Sequence, residues 1–246
     1  MHWKPCWTTD RMFRLLWACL CGFLLVSPVR AAPPESVVVT RIEYRETEPG
    51  IDPYRVRMLV AGERLRIDEG DDAGDFVLYD AGAGRVYSVT HEERRILVIP
   101  DGEVPSAPVS LGIEVVHAPD PEAPRVLGET PVTVTVRAGG TLCSESTVVD
   151  GLLPKARRLL RGYYHVLAAR QARDLALTPK EFRTPCFLAN YLHDTWRHLD
   201  YGFPLAEHIE GGRTRLLLDF REVELPAALF RLPEGYERVT LGKMGD

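Results

Sequence analysis

Residues 63–100 read ERLRIDEGDDAGDFVLYDAGAGRVYSVTHEERRILVIP, and this stretch decides the fold. Leu65 and Ile67 alternate with Arg64, Arg66 and Asp68, the period of two that belongs to a strand with one apolar face. Asp71, Asp72, Gly74 and Asp75 make a polar turn. Phe76-Val77-Leu78-Tyr79 is then apolar at every position, which predicts a strand lying deeper in the sheet. Asp80-Ala81-Gly82-Ala83-Gly84 closes a hairpin, because glycine accepts the positive φ of tight turns. Residues 85–90 form the next strand and His91-Glu92-Glu93-Arg94 the next turn. Residues 95–99 are again apolar on both sides before Pro100 withholds a donor from the ladder. Consecutive hairpins predict an antiparallel sheet, and strands this apolar need cover from elsewhere in the chain.

Towards the N-terminus, residues 36–48 are β-rich through Val37, Val38, Val39, Ile42 and Tyr44, and residues 49–53 carry the breakers Pro49, Gly50 and Pro53. Tyr54, Val56, Met58 and Val60 then alternate into the meander. Residues 1–31 carry Lys4, Arg11 and Arg14, an apolar run over 15–26, and Val29-Arg30-Ala31, the three parts of a signal peptide cleaved after Ala31. The run is short against the ~20 residues of a spanning helix, so no transmembrane span is expected after cleavage. A minor alternative is a lipid anchor at Cys19. The expected destination is the periplasm.

The 246-residue chain has a formal net charge of −5. Removing residues 1–31 takes away Lys4, Arg11, Arg14 and Arg30 against Asp10, which leaves −8. An acidic chain argues against a nucleic-acid partner, since phosphate binding needs a basic surface. Residues 32–246 suffice for one well-buried domain, with no linker or repeat at which to divide it.

Beyond the meander, residues 105–124 are rich in proline and acids around an apolar segment, 111–116, read as an edge strand or a lid loop. Residues 132–137 alternate, Gly139-Gly140 turns, and 142–149 form a strand that carries Cys143. The period then changes. Ala156, Leu159, Leu160, Tyr163, Leu167 and Ala168 fall at helical spacing, with Lys155, Arg157, Arg158 and Arg161 between them. That basic face has two readings, a solvated outer surface or a docking patch for anionic lipid head groups or an acidic partner. Thr178-Pro179 and Thr184-Pro185 pair a capping residue with proline at the first helical position. A main helix is predicted from Pro185, with Leu188, Leu192, Trp196 and Leu199 as its stripe. The helical insert covers about 151–200. Strands resume at 204–210 and 213–224 around Gly211-Gly212, and a tail ends the fold with Phe230 and Tyr236 as packing anchors.

Cys143 and Cys186 are the only cysteines after residue 31, and two readings stand, a disulfide in an oxidising compartment or two buried thiols. Neither a zinc nor a redox spacing is present. His193-Asp194-Thr195-Trp196-Arg197-His198 is the best candidate for chemistry. Its histidines are five apart and do not share a helical face, whereas Asp194 and His198 do, which predicts an ion pair. No catalytic residue, metal or cofactor is assigned, and an enzyme is not expected.

Three segments together resemble the superfamily of outer-membrane lipoprotein carriers, the LolA/LolB-like proteins, and especially their secreted relatives. They are Arg64-Leu65-Arg66-Ile67-Asp68, the hairpin from Phe76-Val77-Leu78-Tyr79-Asp80 to Val86-Tyr87-Ser88-Val89, and the ending that runs from Gly202-Phe203-Pro204-Leu205 to Leu229-Phe230-Arg231-Leu232-Pro233-Glu234-Gly235-Tyr236. The resemblance implies an α+β fold, a strongly curved antiparallel β-sheet forming an unclosed half-barrel, with amphipathic helices packed on its concave face. It also implies a hollow able to hold acyl chains. The chain departs from the carriers in lacking a helix ahead of the first strand and in the size of its insert, so no gating residue is carried over.

The expected function is an exported, non-enzymatic binding protein that shelters an acyl chain, lipid or lipidated partner between sheet and helices. The expected lining is Leu65, Ile67, Leu78, Val86, Val98, Leu160, Tyr163, Leu192 and Trp196. The rival is an envelope protein–protein interaction module whose core is filled by its own side chains.

Overall fold

Successive hairpins build the first half of a twelve-stranded sheet: β1 (Ser36–Glu48), β2 (Ile51–Ala61), β3 (Arg64–Asp68), β4 (Phe76–Asp80), β5 (Arg85–Thr90) and β6 (Arg95–Pro100). The computed structural model describes residues 35–241, so the signal peptide read at 1–31 and Cys19 lie outside the described residues. The second half is β7 (Ile113–Pro119), β8 (Val132–Ala138), β9 (Thr141–Val149), β10 (Phe203–Ile209) and β11 (Arg213–Pro226). β11 bonds back to β1, joining the halves in the order β12-β6-β5-β4-β3-β2-β1-β11-β10-β9-β8-β7, where β12 is Glu237–Thr240. The sheet is antiparallel except for β12, which runs parallel to β6, and it does not close on itself.

The predicted meander is present strand for strand. The break expected over 49–53 shrinks to Pro49-Gly50, because Gly50 at φ 79° makes the turn alone and Ile51 already pairs with Glu48. Residues 111–116 resolve in favour of the edge strand, β7.

Two helices follow the switch of period. α1 (Pro154–Asp174) opens on its proline and buries Ala156, Leu159 and Leu160. It lies so close to β4 that a Cβ on Gly162 would sit 2.3 Å from the Tyr79 hydroxyl, an approach that only glycine permits. α2 (Pro185–Leu188) is capped as the sequence indicates, Thr184 Oγ1 accepting from the Phe187 N–H at 3.1 Å. It does not continue to Leu199. The chain widens into a π turn over Ala189–His193, leaves helical geometry at Asp194, and makes a 3₁₀ turn at Arg197–Asp200. One long-range bond and one local pair hold this break: the Asn190 amide donates to the Cys143 carbonyl at 2.9 Å, and the Asp194 carboxylate takes Arg197 Nε at 2.6 Å. The helix signalled at Thr178-Pro179 is a single 3₁₀ turn, Lys180–Phe182. Among the described residues no helix is long and apolar enough to cross a membrane.

Both faces of the meander are covered, which is why 76–79 and 95–99 are apolar throughout. Ile42, Tyr44, Met58, Val60, Leu65, Tyr79 and Val86 face α1 and pack with Leu159, Leu160 and Val166. Val39, Leu59, Phe76, Leu78, Val89, Ile96 and Val98 face the other way, under Leu229 and Phe230 of the tail, with Leu232 and Tyr236 alongside. Phe230 and Tyr236 thus pack as the sequence indicates. A third cluster joins Val136, Ala138 and Cys143 of the second half to Cys186 and Ala189.

The tail-side face holds an ion network. Asp68 accepts from Arg57 Nε at 2.7 Å and from Arg66 Nε at 2.6 Å. Arg66 lies over the Phe76 ring at 4.0 Å and donates to the Leu229 carbonyl at 2.9 Å. The tail is therefore fastened by the meander's charged strand as well as by apolar contact.

Candidate ligand cleft

Where α1 and the π turn pass over the junction of β1, β2, β10 and β11, they leave a cleft of about 470 Å³. Its apolar wall is Val56, Met58, Ile67, Tyr163, Leu167 and Ile209, with Tyr191 also lining it. Its polar wall is a cross-strand row. Register places Glu46 of β1 opposite Arg215 of β11, and Arg215 opposite Glu207 of β10. These residues point inward because they keep the parity of the apolar positions: Glu46 follows Ile42 and Tyr44, and Arg215 is two residues before Leu217.

Arg215 is the centre of the row. Its Nε and Nη2 donate to Glu46 Oε1 at 2.8 and 2.6 Å, and its Nη1 reaches the Tyr164 hydroxyl at 2.9 Å and Glu207 Oε2 at 3.3 Å. Its carbon end lies 5.3 Å from the centre of the Tyr44 ring. Tyr44 turns its hydroxyl away, to the Pro204 carbonyl at 2.8 Å. Burial pushes the Tyr44 and Tyr164 phenols up and the Tyr163 phenol to about 12, so all three stay neutral. Burial alone would raise Glu207, but His198 and Arg215 outweigh it and hold the carboxyl below its ordinary value. Burial also lowers His198, whose Nε2 sits 3.4 Å from Glu207 Oε1. A dry row of this kind stays anchored only because each carboxylate meets the same guanidinium.

The nine residues expected to line a hollow separate in the structure. Ile67 and Tyr163 line the cleft. Leu65, Val86 and Leu160 belong to the packed core behind it. Trp196 borders a second hollow of about 450 Å³ with Tyr79 and His165. Leu192 is fully buried. Leu78 and Val98 lie on the opposite face, because pairing puts Tyr79 beside Leu65 and Ile99 beside Val86. Of the basic patch, Arg158 is held bidentate by Glu63 with both bonds at 2.7 Å, Arg157 reaches Asp150 at 2.7 Å, and Arg161 pairs with Asp200. Three of its four charges are thus matched within the chain, and Lys155 remains beside them. The expected Asp194–His198 pair does not form: Asp194 takes Arg197, His198 faces Glu207, and His193 Nδ1 lies 3.0 Å from the Pro105 carbonyl.

Cys143 and Cys186 form a disulfide, their Cα atoms 4.9 Å apart, and it ties the start of α2 to β9. The π turn that supplies Asn190 and Tyr191 to the cleft begins three residues later. Closing a loop with 43 residues of separation stabilises by ~4 kcal/mol on the chain-entropy account. Replacing both cysteines with serine is therefore expected to lower the unfolding free energy by about that amount. Urea titration of the two forms checks it, with an unchanged midpoint as the contrary result.

No family model matches the chain, and no curated protein matches it. Among solved structures, two crystal forms of PNGF-II, in space groups C2 and P21, superpose on 83% of it. Their TM-scores are 0.40 and 0.38 and their identities 10% and 8%. The chain spans only 31% and 32% of those structures, about a third of their length.

Proposed function

We propose that this is an exported, non-enzymatic binding protein of the periplasm that shelters an acyl chain, free or carried by a lipid or lipoprotein, between sheet and helices. In this reading the sheet curves as an unclosed half-barrel with α1 and α2 on its concave side, the arrangement of the lipoprotein carriers it resembles. One observation carries the proposal: packing fills the core around Leu160 but leaves a cleft of about 470 Å³ beside it, walled by Met58, Ile67 and Leu167. That volume lies within the ~300–1,000 Å³ of small-ligand sites. At ~0.8 kcal/mol per buried methylene, roughly ten methylenes reach micromolar affinity before the costs of association.

The experiment is native mass spectrometry of protein exported to a periplasm and purified gently, followed by organic extraction. A co-purified mass of acyl-chain size is expected, reduced at least tenfold in Leu167→Asp, whose charge would sit on the apolar wall. A bare polypeptide mass in every preparation would overturn the proposal. It would favour the rival, an envelope interaction module, for which one feature speaks: β7 is an edge strand with Val116 turned to solvent.

A further inference from the structure

We infer that the cleft selects an anionic amphiphile, its carboxylate or phosphate head group held by Arg213; this rests on the cleft's being a site for an apolar chain.

Among the described residues, the cleft contains two donors without hydrogen-bond acceptors. Arg213 Nε and Thr195 Oγ1 are shielded from solvent, both belong to cleft-lining residues, and neither has a hydrogen-bond partner. A shielded donor without an acceptor is costly, and native structures rarely tolerate one without a use for it. The nearby carboxylate does not meet the need. Glu46 Oε2 lies 3.7 Å from Arg213 Nε, beyond hydrogen-bond reach, and it already accepts from the Tyr54 hydroxyl at 3.2 Å. The other oxygen of Glu46 takes two bonds from Arg215. Glu207 is likewise engaged by Arg215, and Arg170, the third arginine of the cleft, pairs with Asp174. Among the described residues Arg213 is therefore the guanidinium lining this cleft that makes no hydrogen bond, and its side chain is one-third exposed, so it can be reached from outside.

A planar fork of this kind matches carboxylate or phosphate oxygens in pairs, and in a partly dry cleft such bonds are stronger than at a surface. The Thr195 hydroxyl supplies a further donor. The apolar wall of Met58, Ile67 and Leu167 faces the same space, so one ligand with a charged end and a hydrocarbon body satisfies both. An uncharged ligand such as an alcohol would leave the fork with only the Glu46 carboxylate, 3.7 Å from Nε.

Isothermal titration of the delipidated protein with dodecanoate, dodecyl phosphate, dodecanol and inorganic phosphate tests this. Dodecanoate and dodecyl phosphate are expected to bind at least about tenfold more tightly than dodecanol, the increment of one charge-assisted hydrogen bond. Arg213→Gln should abolish that preference and leave dodecanol unchanged, while Arg213→Lys should keep part of it. Thr195→Val, which leaves the charge in place, should weaken the anionic ligands only and serves if the arginine variants fail to fold. Equal binding of acid and alcohol to the unmodified protein would overturn the head-group inference while leaving the chain-binding reading intact. Inorganic phosphate binding as tightly as dodecyl phosphate would overturn the amphiphile. Failure of every dodecyl ligand to bind would overturn both the inference and the reading beneath it.

Discussion

Arg215→Met is expected to destabilise the protein by about 3–5 kcal/mol at neutral pH, the typical cost of removing one partner from a buried ion cluster. The variant keeps most of the side-chain volume but leaves Glu46 and Glu207 on either side of β11 without the cation that joins them. It also leaves the Tyr164 hydroxyl without its donor. The pH dependence distinguishes this from simple loss of packing. In the unmodified protein the folded Glu207 carboxyl is depressed, so its contribution is present above the unfolded value near 4.3 and is lost as pH falls through the lower folded one. Without Arg215, burial is opposed only by His198 and Arg213, so the folded carboxyl moves up from its depressed value. The stability it contributes above the unfolded value is then smaller, and so is the loss on acidification through the folded one. Urea unfolding at pH 7 and pH 5 should show the unmodified protein losing stability on acidification, because the depressed His198 takes up its proton more readily when unfolded, and the variant losing less, because Arg215 no longer holds His198 down. A parallel response in both would mean that the row is not electrostatically coupled.

Asp68→Ala should cost a similar ~3–5 kcal/mol, for the opposite reason. The Asp68 side chain is 1% exposed and lies between Arg57 and Arg66, themselves 8% and 2% exposed, so the variant leaves Arg66 without a carboxylate and Arg57 with Asp72 alone. Burial would raise the Asp68 carboxyl, but Arg57, Arg66 and the Gly70 N–H overcome it and hold the carboxyl below its ordinary value. Its contribution is therefore present above pH ~3.9 and lost as pH falls through the lower folded value, which gives the unmodified protein an acid limb that the variant should partly lack. Because Arg66 donates to Leu229 and Arg64 to Phe230, the disturbance should reach the tail. Hydrogen exchange over 229–240 should accelerate more than exchange in α1. Uniform acceleration would show that the network does not fasten the tail.

The meander was legible because two local signals agreed, alternation at Leu65 and Ile67 and turn chemistry at 80–84. Which face Leu78 and Val98 occupy was not, since a strand apolar on both sides carries no parity, and only pairing with Leu65 and Val86 decides it. The charged row could have been found. Glu46 keeps step with Ile42 and Tyr44, and Arg213 and Arg215 with Leu217, so a charge in phase with buried positions was the signal that alternation alone passes over. The break in the main helix was only half readable: Asp194 and Arg197 are neighbours in the sequence, but Asn190 meets Cys143 across 47 residues. β12 was equally silent. Glu237–Thr240 is largely exposed and owes its strand geometry to the edge offered by β6.

The pairing of β1 with β11 also bears on how the molecule forms. One flank of β1 finds β2 across a two-residue turn, whereas the other must wait for a strand encoded some 170 residues later. Such remote pairing carries a heavy loop-closure cost and slows assembly. The six-stranded meander is joined by local hairpins, so it can assemble early with two borders exposed, β1 and β6. The β1 border is closed only when the seam to β11 zips, which makes the seam the slow step of folding and the interval before it the time of greatest exposure to aggregation.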